Sequence, residues 1–99
     1  MSQIKWFSGG NERKAAALSL IVTIQEELTE NTVGERKLKA LLSRFYNDLM
    51  SGTQSVPLTL SRLNISVADC LLQYHVVLSA DNAERMEKLT KLSQIRYGY

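Results

Sequence analysis

The chain has 99 residues, 44% apolar and 22% charged, with twelve Lys and Arg against ten Asp and Glu for a formal charge of +2. That length fits one domain, able to bury about two thirds of the surface its unfolded form exposes. Residues 1–50 carry seven basic and six acidic groups and residues 51–99 five and four, so there is no polybasic arm or acidic tail to favour nucleic acid or anionic lipid. Cys70 is the only cysteine, which rules out an internal disulfide and suits a reducing compartment. The opening MSQIKWFSGG lacks an apolar signal segment, and the longest apolar run, Ala15 to Leu18, falls far short of the ~20 residues of a membrane span. A cytoplasmic location without direct membrane insertion is the expectation.

Glycine and proline are sparse, which leaves room for long helices between a few breaks. The first helix is expected over about 11–30, capped by Asn11. Its apolar positions Ala17, Ile21, Ile24 and Leu28 step by four, three and four, and Leu18 and Val22 widen the stripe. Its charges oppose its dipole, with Arg13 and Lys14 early and Glu26, Glu27 and Glu30 late. An antiparallel second helix that starts with Arg36, Lys37 and Lys39 resolves that conflict by setting a basic start against an acidic end.

The second helix is expected over 33–51. Thr32 and Glu35 have capping-box spacing, Leu38, Leu41, Leu42, Phe45, Tyr46 and Leu49 follow the helical template, and Ser51-Gly52 stops it. The third element begins ambiguously, because Val56 to Leu60 and Leu63 to Val67 alternate as a strand would. Pro57 after Ser55 suits a helix start, and Leu60, Leu63, Val67, Leu71, Tyr74 and Leu78 form one helical stripe. A lone strand would also lack a partner. A helix over about 57–78 is therefore expected. Ser79 caps a fourth over about 80–95, with Asp81 and Glu84 near its start, Lys88 and Lys91 near its end, and Glu84–Lys88 and Glu87–Lys91 at i, i+4. Residues 96–99 form a short tail. The fold class is all-α, an antiparallel up-down four-helix bundle.

The chemistry-bearing inventory is poor. Cys70 and His75 are five residues apart in one helix, about 140° around its axis, and so face different ways. The pair reads as a small core residue and a boundary residue beside Tyr74 rather than a nucleophile and its base. Two candidate ligands are too few for zinc, and Gly9-Gly10 lacks the lysine and spacing of a phosphate loop. No catalytic group, metal or cofactor is expected. The aromatic ends stand out: Trp6 and Phe7 precede the first helix, and Tyr97 and Tyr99 close the chain beside Arg96. Aromatic residues and arginine concentrate where binding energy does.

The ends also carry a resemblance. Lys5-Trp6-Phe7-Ser8-Gly9-Gly10 resembles the N-terminus of the immunity proteins for pediocin-like (class IIa) bacteriocins, of the enterocin A type. Leu92 to Tyr99 looks like that family's C-terminus, and Ser55-Val56-Pro57-Leu58 with Leu60 to Ile65 looks like the start of its third helix. The resemblance implies a four-helix bundle. It also implies a small cytosolic protein that protects a bacteriocin producer by associating with mannose phosphotransferase membrane components once the peptide has engaged them. The family's C-terminal half governs which peptide is resisted, which points here to the second helical hairpin and tail, and to Arg85, Lys88, Lys91, Arg96, Tyr97 and Tyr99 as specificity residues. Apart from that resemblance, the same pattern also fits another helical interaction module, such as an adaptor or an antitoxin-like partner.

Overall fold

The computed structural model describes residues 9–94, with side chains from 12 to 93. Four helices follow one another: α1 (Gly9–Glu27), α2 (Val33–Ser51), α3 (Val56–Tyr74) and α4 (Ala80–Gln94). Each packs against its neighbours in sequence, α4 closes the ring against α1, and α1 also reaches α3 across the middle. The expected bundle is present. Its core joins Ala17, Ile21, Ile24 and Leu28 to Leu38, Leu42, Phe45 and Leu49, to Leu60, Leu63, Val67 and Cys70, and to Leu89.

The helix starts show why these segments fold locally. Thr32 is extended (φ −123°, ψ 160°), and its hydroxyl accepts the Glu35 backbone N–H at 3.1 Å. The expected box is only half closed, because the Glu35 carboxylate accepts the Thr29 hydroxyl proton instead of turning back to Thr32. Ser55 accepts the Leu58 N–H at 3.3 Å, with Pro57 in the first turn where its missing donor costs nothing. Ser79 accepts the Asn82 N–H at 3.1 Å. At the far end of α2, Gly52 takes the left-handed conformation (φ 69°) and returns its N–H to the Asp48 carbonyl. The strand-like alternation at the start of α3 is helical throughout.

Two helices end earlier than their apolar stripes. α1 stops at Glu27 rather than near 30, and it begins at Gly9, which places Asn11 inside the helix instead of at its cap. Leu28 stays in the core all the same, its N–H bonded to the Ile24 carbonyl at 3.1 Å. α3 stops at Tyr74 rather than near 78. His75 adopts φ 54° and ψ 42°, and its N–H and that of Val76 both return to the Leu71 carbonyl. The chain then crosses to α4 with Val76 and Leu78 still packed against the core, so the stripe outlasts the helix.

That crossing lies against the start of α2. A β-carbon on Gly34 would stand 2.5 Å from Val76 Cγ2 and 2.8 Å from Tyr74 Cβ. Only a hydrogen at this position lets the two chain segments meet.

Candidate functional site

The residues expected to set specificity divide when they are placed on the bundle. Arg85 is turned inward along the α1/α4 seam. Its Nη1 lies 2.8 Å from Glu27 Oε1 and donates to the buried Asn82 Oδ1 at 2.7 Å. The hydrogen bond that Arg85 gives Glu27, together with the guanidinium charge, holds the Glu27 carboxyl below the usual carboxylate range, and the carboxylate in turn raises the Arg85 pKa. The acidic end of α1 is therefore shared between two neighbours. Glu30 pairs with Lys39 of α2 at 3.1 Å and takes the Arg36 guanidinium on its carbonyl, while Glu27 reaches across to α4.

Lys88 and Lys91 are placed differently. They stand exposed at the edge of an open groove of about 480 Å³ between α1 and α4, lined by Ala16, Ser19 and Leu20 on one side and Lys88, Lys91 and Leu92 on the other. Leu20 and Leu92 pack half-buried against the core and give the groove an apolar floor. Lys88 keeps only a long i, i+4 pair with Glu84 at 3.8 Å, whereas Glu87–Lys91 does not close to ion-pair distance among the described residues. Antiparallel pairing brings the first half of α1 beside the second half of α4, the half that leads into the C-terminal tail. Arg96, Tyr97 and Tyr99 lie outside the described residues, as do Trp6 and Phe7.

The α1 wall of the groove is what sequence reasoning missed. Ala16 and Leu20 fall beside the Ala17/Ile21/Ile24/Leu28 stripe, not on it. The available signal was that α1 is apolar well beyond one stripe, through Ala15 to Leu18 and Leu20 to Val22.

Catalytic chemistry finds no assembled site among the described residues. Cys70 is buried, and that burial pushes its thiol pKa up, away from the reactive thiolate. His75 is exposed at the helix cap, on a separate hollow with Thr32, Glu35, Tyr74, Val76 and Val77 that does not include the thiol. Its part is in the backbone turn, and it is not the packed boundary residue its neighbourhood in sequence had implied. Among the described residues no His, Cys, Asp and Glu group is arranged to hold a metal ion, and no helix is long and apolar enough to cross a membrane. What the arrangement exposes is an apolar groove edged by two cations.

Known proteins share this fold and sequence pattern. The family model for the bacteriocin immunity protein family matches residues 13–94. An immunity protein that contributes to self-protection of bacteriocin-producing Enterococcus mundtii 15-1A has a similar crystal structure. The TM-score is 0.76 at 26% identity, covering 84% of this chain and 99% of that one. PisI, known from an NMR solution structure, matches with a TM-score of 0.75 at 35% identity over the whole of both chains. An uncharacterised 9.1 kDa protein in the 3′ region of the BM1 immunity protein of Carnobacterium maltaromaticum is 28% identical over 67 residues, 68% of this chain and 83% of its own.

Proposed function

Since this chain belongs to the bacteriocin immunity protein family, we propose that it protects a producing cell against a pediocin-like peptide by binding, from the cytosolic side, the mannose phosphotransferase membrane components that the peptide has engaged. The family is one of immunity proteins and not of enzymes, and binding is the mode of action that the exposed chemistry supports. The observation that carries the reading is the family match across residues 13–94. The α1/α4 groove supplies a surface on which the contact can be built.

Within this proposal the second hairpin and its tail carry specificity. Lys88 and Lys91 are the exposed cations of the groove edge and meet the receptor–peptide complex, together with Arg96, Tyr97 and Tyr99. Arg85 contributes by holding α4 to α1 through Glu27, so its effect on recognition is indirect. Stoichiometric occupation of the complex then blocks the leak that the peptide opens.

The test is expression in a sensitive strain challenged with a panel of class IIa peptides, with potassium efflux and survival as readouts. Survival against at least one peptide is expected, along with recovery of the phosphotransferase components with the tagged protein only when peptide is present. Sensitivity to the whole panel would overturn the reading. Removing residues 96–99 should abolish protection while leaving the helical content unchanged, because four terminal residues contribute little to a bundle core.

A further inference from the structure

α3 is apolar on two opposite sides, and the bundle covers only one. Its inner side buries Leu60, Leu63, Val67 and Cys70. On the outer side Leu58, Ile65 and Leu72 recur every seven residues, and they are 49%, 65% and 76% exposed. At about 100° per residue, Leu58 and Leu72 fall within roughly 20° of Ile65 around the axis, in a row about 21 Å long that points away from the core. Isolated surface leucines are ordinary, but three large side chains in one heptad row form a seam of the kind helices use against other helices.

The residues beside the row identify what fits it. Ser61 and Ala68 flank it on one side, both small, and Arg62 and Asp69 flank it on the other. Take a second copy of α3 laid antiparallel, with the two Ile65 residues face to face. Leu58 then meets Leu72 of the second copy, and Leu72 meets its Leu58. Arg62 lies about 4.5 Å before Ile65 along the axis and Asp69 about 6 Å after it, on the same side of the seam. The two-fold therefore brings Arg62 of each copy to the height of Asp69 of the other, giving two ion pairs of opposite sign. On the other side Ser61 faces Ala68, which lets the backbones approach. Asp69 makes no ion pair among the described residues, and Arg62 uses one of its five donors on Gln54 at 2.9 Å, so both have capacity left.

From this self-complementarity we infer that the outer face of α3 is a homodimer seam, centred on Ile65, on which a second copy of this chain docks antiparallel. The contact is isologous, as a two-fold requires. A single helix pair gives less than the ~800 Å² per partner of a stable complex, so the dimer is weak and depends on concentration.

Sedimentation equilibrium of the full chain from about 10 µM to about 1 mM, the range suited to a small interface, tests this. Wild type should shift from monomer to dimer, and Ile65→Glu should stay monomeric with unchanged helical content. R62E and D69R should each weaken self-association at least about tenfold, because each sets like charges opposite one another. Mixed in equal amounts, the two variants should associate about as well as wild type, since both facing pairs are then of opposite sign. A monomer across the whole range would overturn the inference. So would a dimer indifferent to I65E, or charge variants that fail to complement. A monomer that binds phosphatidylglycerol vesicles through the same leucines would assign the face to lipid instead, and equally overturn it.

Discussion

One guanidinium nitrogen of Arg85 lies 2.8 Å from a carboxylate oxygen of Glu27, fastening the middle of α4 to the last residue of α1. Both groups are partly solvated, so the link positions more than it stabilises. Its pH dependence has a definite sign. The Glu27 carboxyl titrates lower in the folded chain than in the unfolded one, because the folded state supplies the Arg85 partner. Its contribution is therefore complete above the ordinary carboxylate range and is lost as the pH falls through the lowered folded value. Glu27→Gln should melt slightly below wild type at neutral pH, with the difference vanishing in acid, as thermal melts across a pH series would record. A constant difference at every pH would show that the effect is not ionic.

Gly34 sets the distance between the start of α2 and the α3–α4 crossing. Gly34→Ala gains helix propensity of about 1 kcal/mol but places a methyl 2.5 Å from Val76 Cγ2 and 2.8 Å from Tyr74 Cβ. The second neighbour begins a bulky ring and cannot simply swing aside. A net loss of about 1–3 kcal/mol is expected in denaturant unfolding, partly recovered by adding Val76→Ala. Gly52→Ala is the contrasting case. It meets nothing within 4 Å and should cost only about 1–2 kcal/mol for the left-handed backbone at φ 69°, with no rescue by any neighbour.

These two glycines mark what the sequence makes legible. Gly52 follows a clean apolar stripe, and its role as a helix stop is local, so pattern alone places it. Gly34 looks like a weak point in a helix start until Tyr74 and Val76 arrive from residues far along the chain. The end of α3 is hidden for the same reason. Leu78 continues the stripe, and nothing local to His75 announces a left-handed turn at φ 54°. The crossing passes over the start of α2 with Val76 and Leu78 still packed on the core, contacts that come from outside the local pattern. Charge was legible by end but not by partner: the acidic finish of α1 calls for cations, yet Glu30 finds them on α2 and Glu27 on α4.

Cys70 is 8% exposed and belongs to the core between α3 and its neighbours. Burial raises its thiol pKa, so reaction with a disulfide reagent at neutral pH should be slow in the folded protein and become fast in denaturant. Cys70→Ser should destabilise by about 1–3 kcal/mol by burying a hydroxyl among apolar groups. Once corrected for the amount of folded protein, protection should be unchanged. Loss of protection in folded protein would give the thiol a role that its surroundings do not supply.

The groove between α1 and α4 separates a contact from a scaffold. Lys88 and Lys91 are exposed, and among the described residues the only ion pair that either makes is the 3.8 Å approach of Lys88 to Glu84. Reversing both charges should therefore cost only about 1 kcal/mol, from two new i, i+4 like-charge pairs with Glu84 and Glu87 and an acidic end to α4. If the two cations meet the receptor–peptide complex, K88E/K91E should lower protection at least about tenfold, since rim charges act on encounter and register. Ala16→Phe approaches the same groove from α1. The position is exposed, so the bundle tolerates the ring, but the ring occupies the space above Leu20 and Leu92. The charge reversal and the filled groove should reduce protection together, with both variants still folded and of wild-type helical content. Arg85→Ala, which touches neither the groove edge nor its floor, should reduce it less than either. Equal losses for all three would mean that α4 must only be held in place, and full protection in all three would remove the groove from recognition altogether.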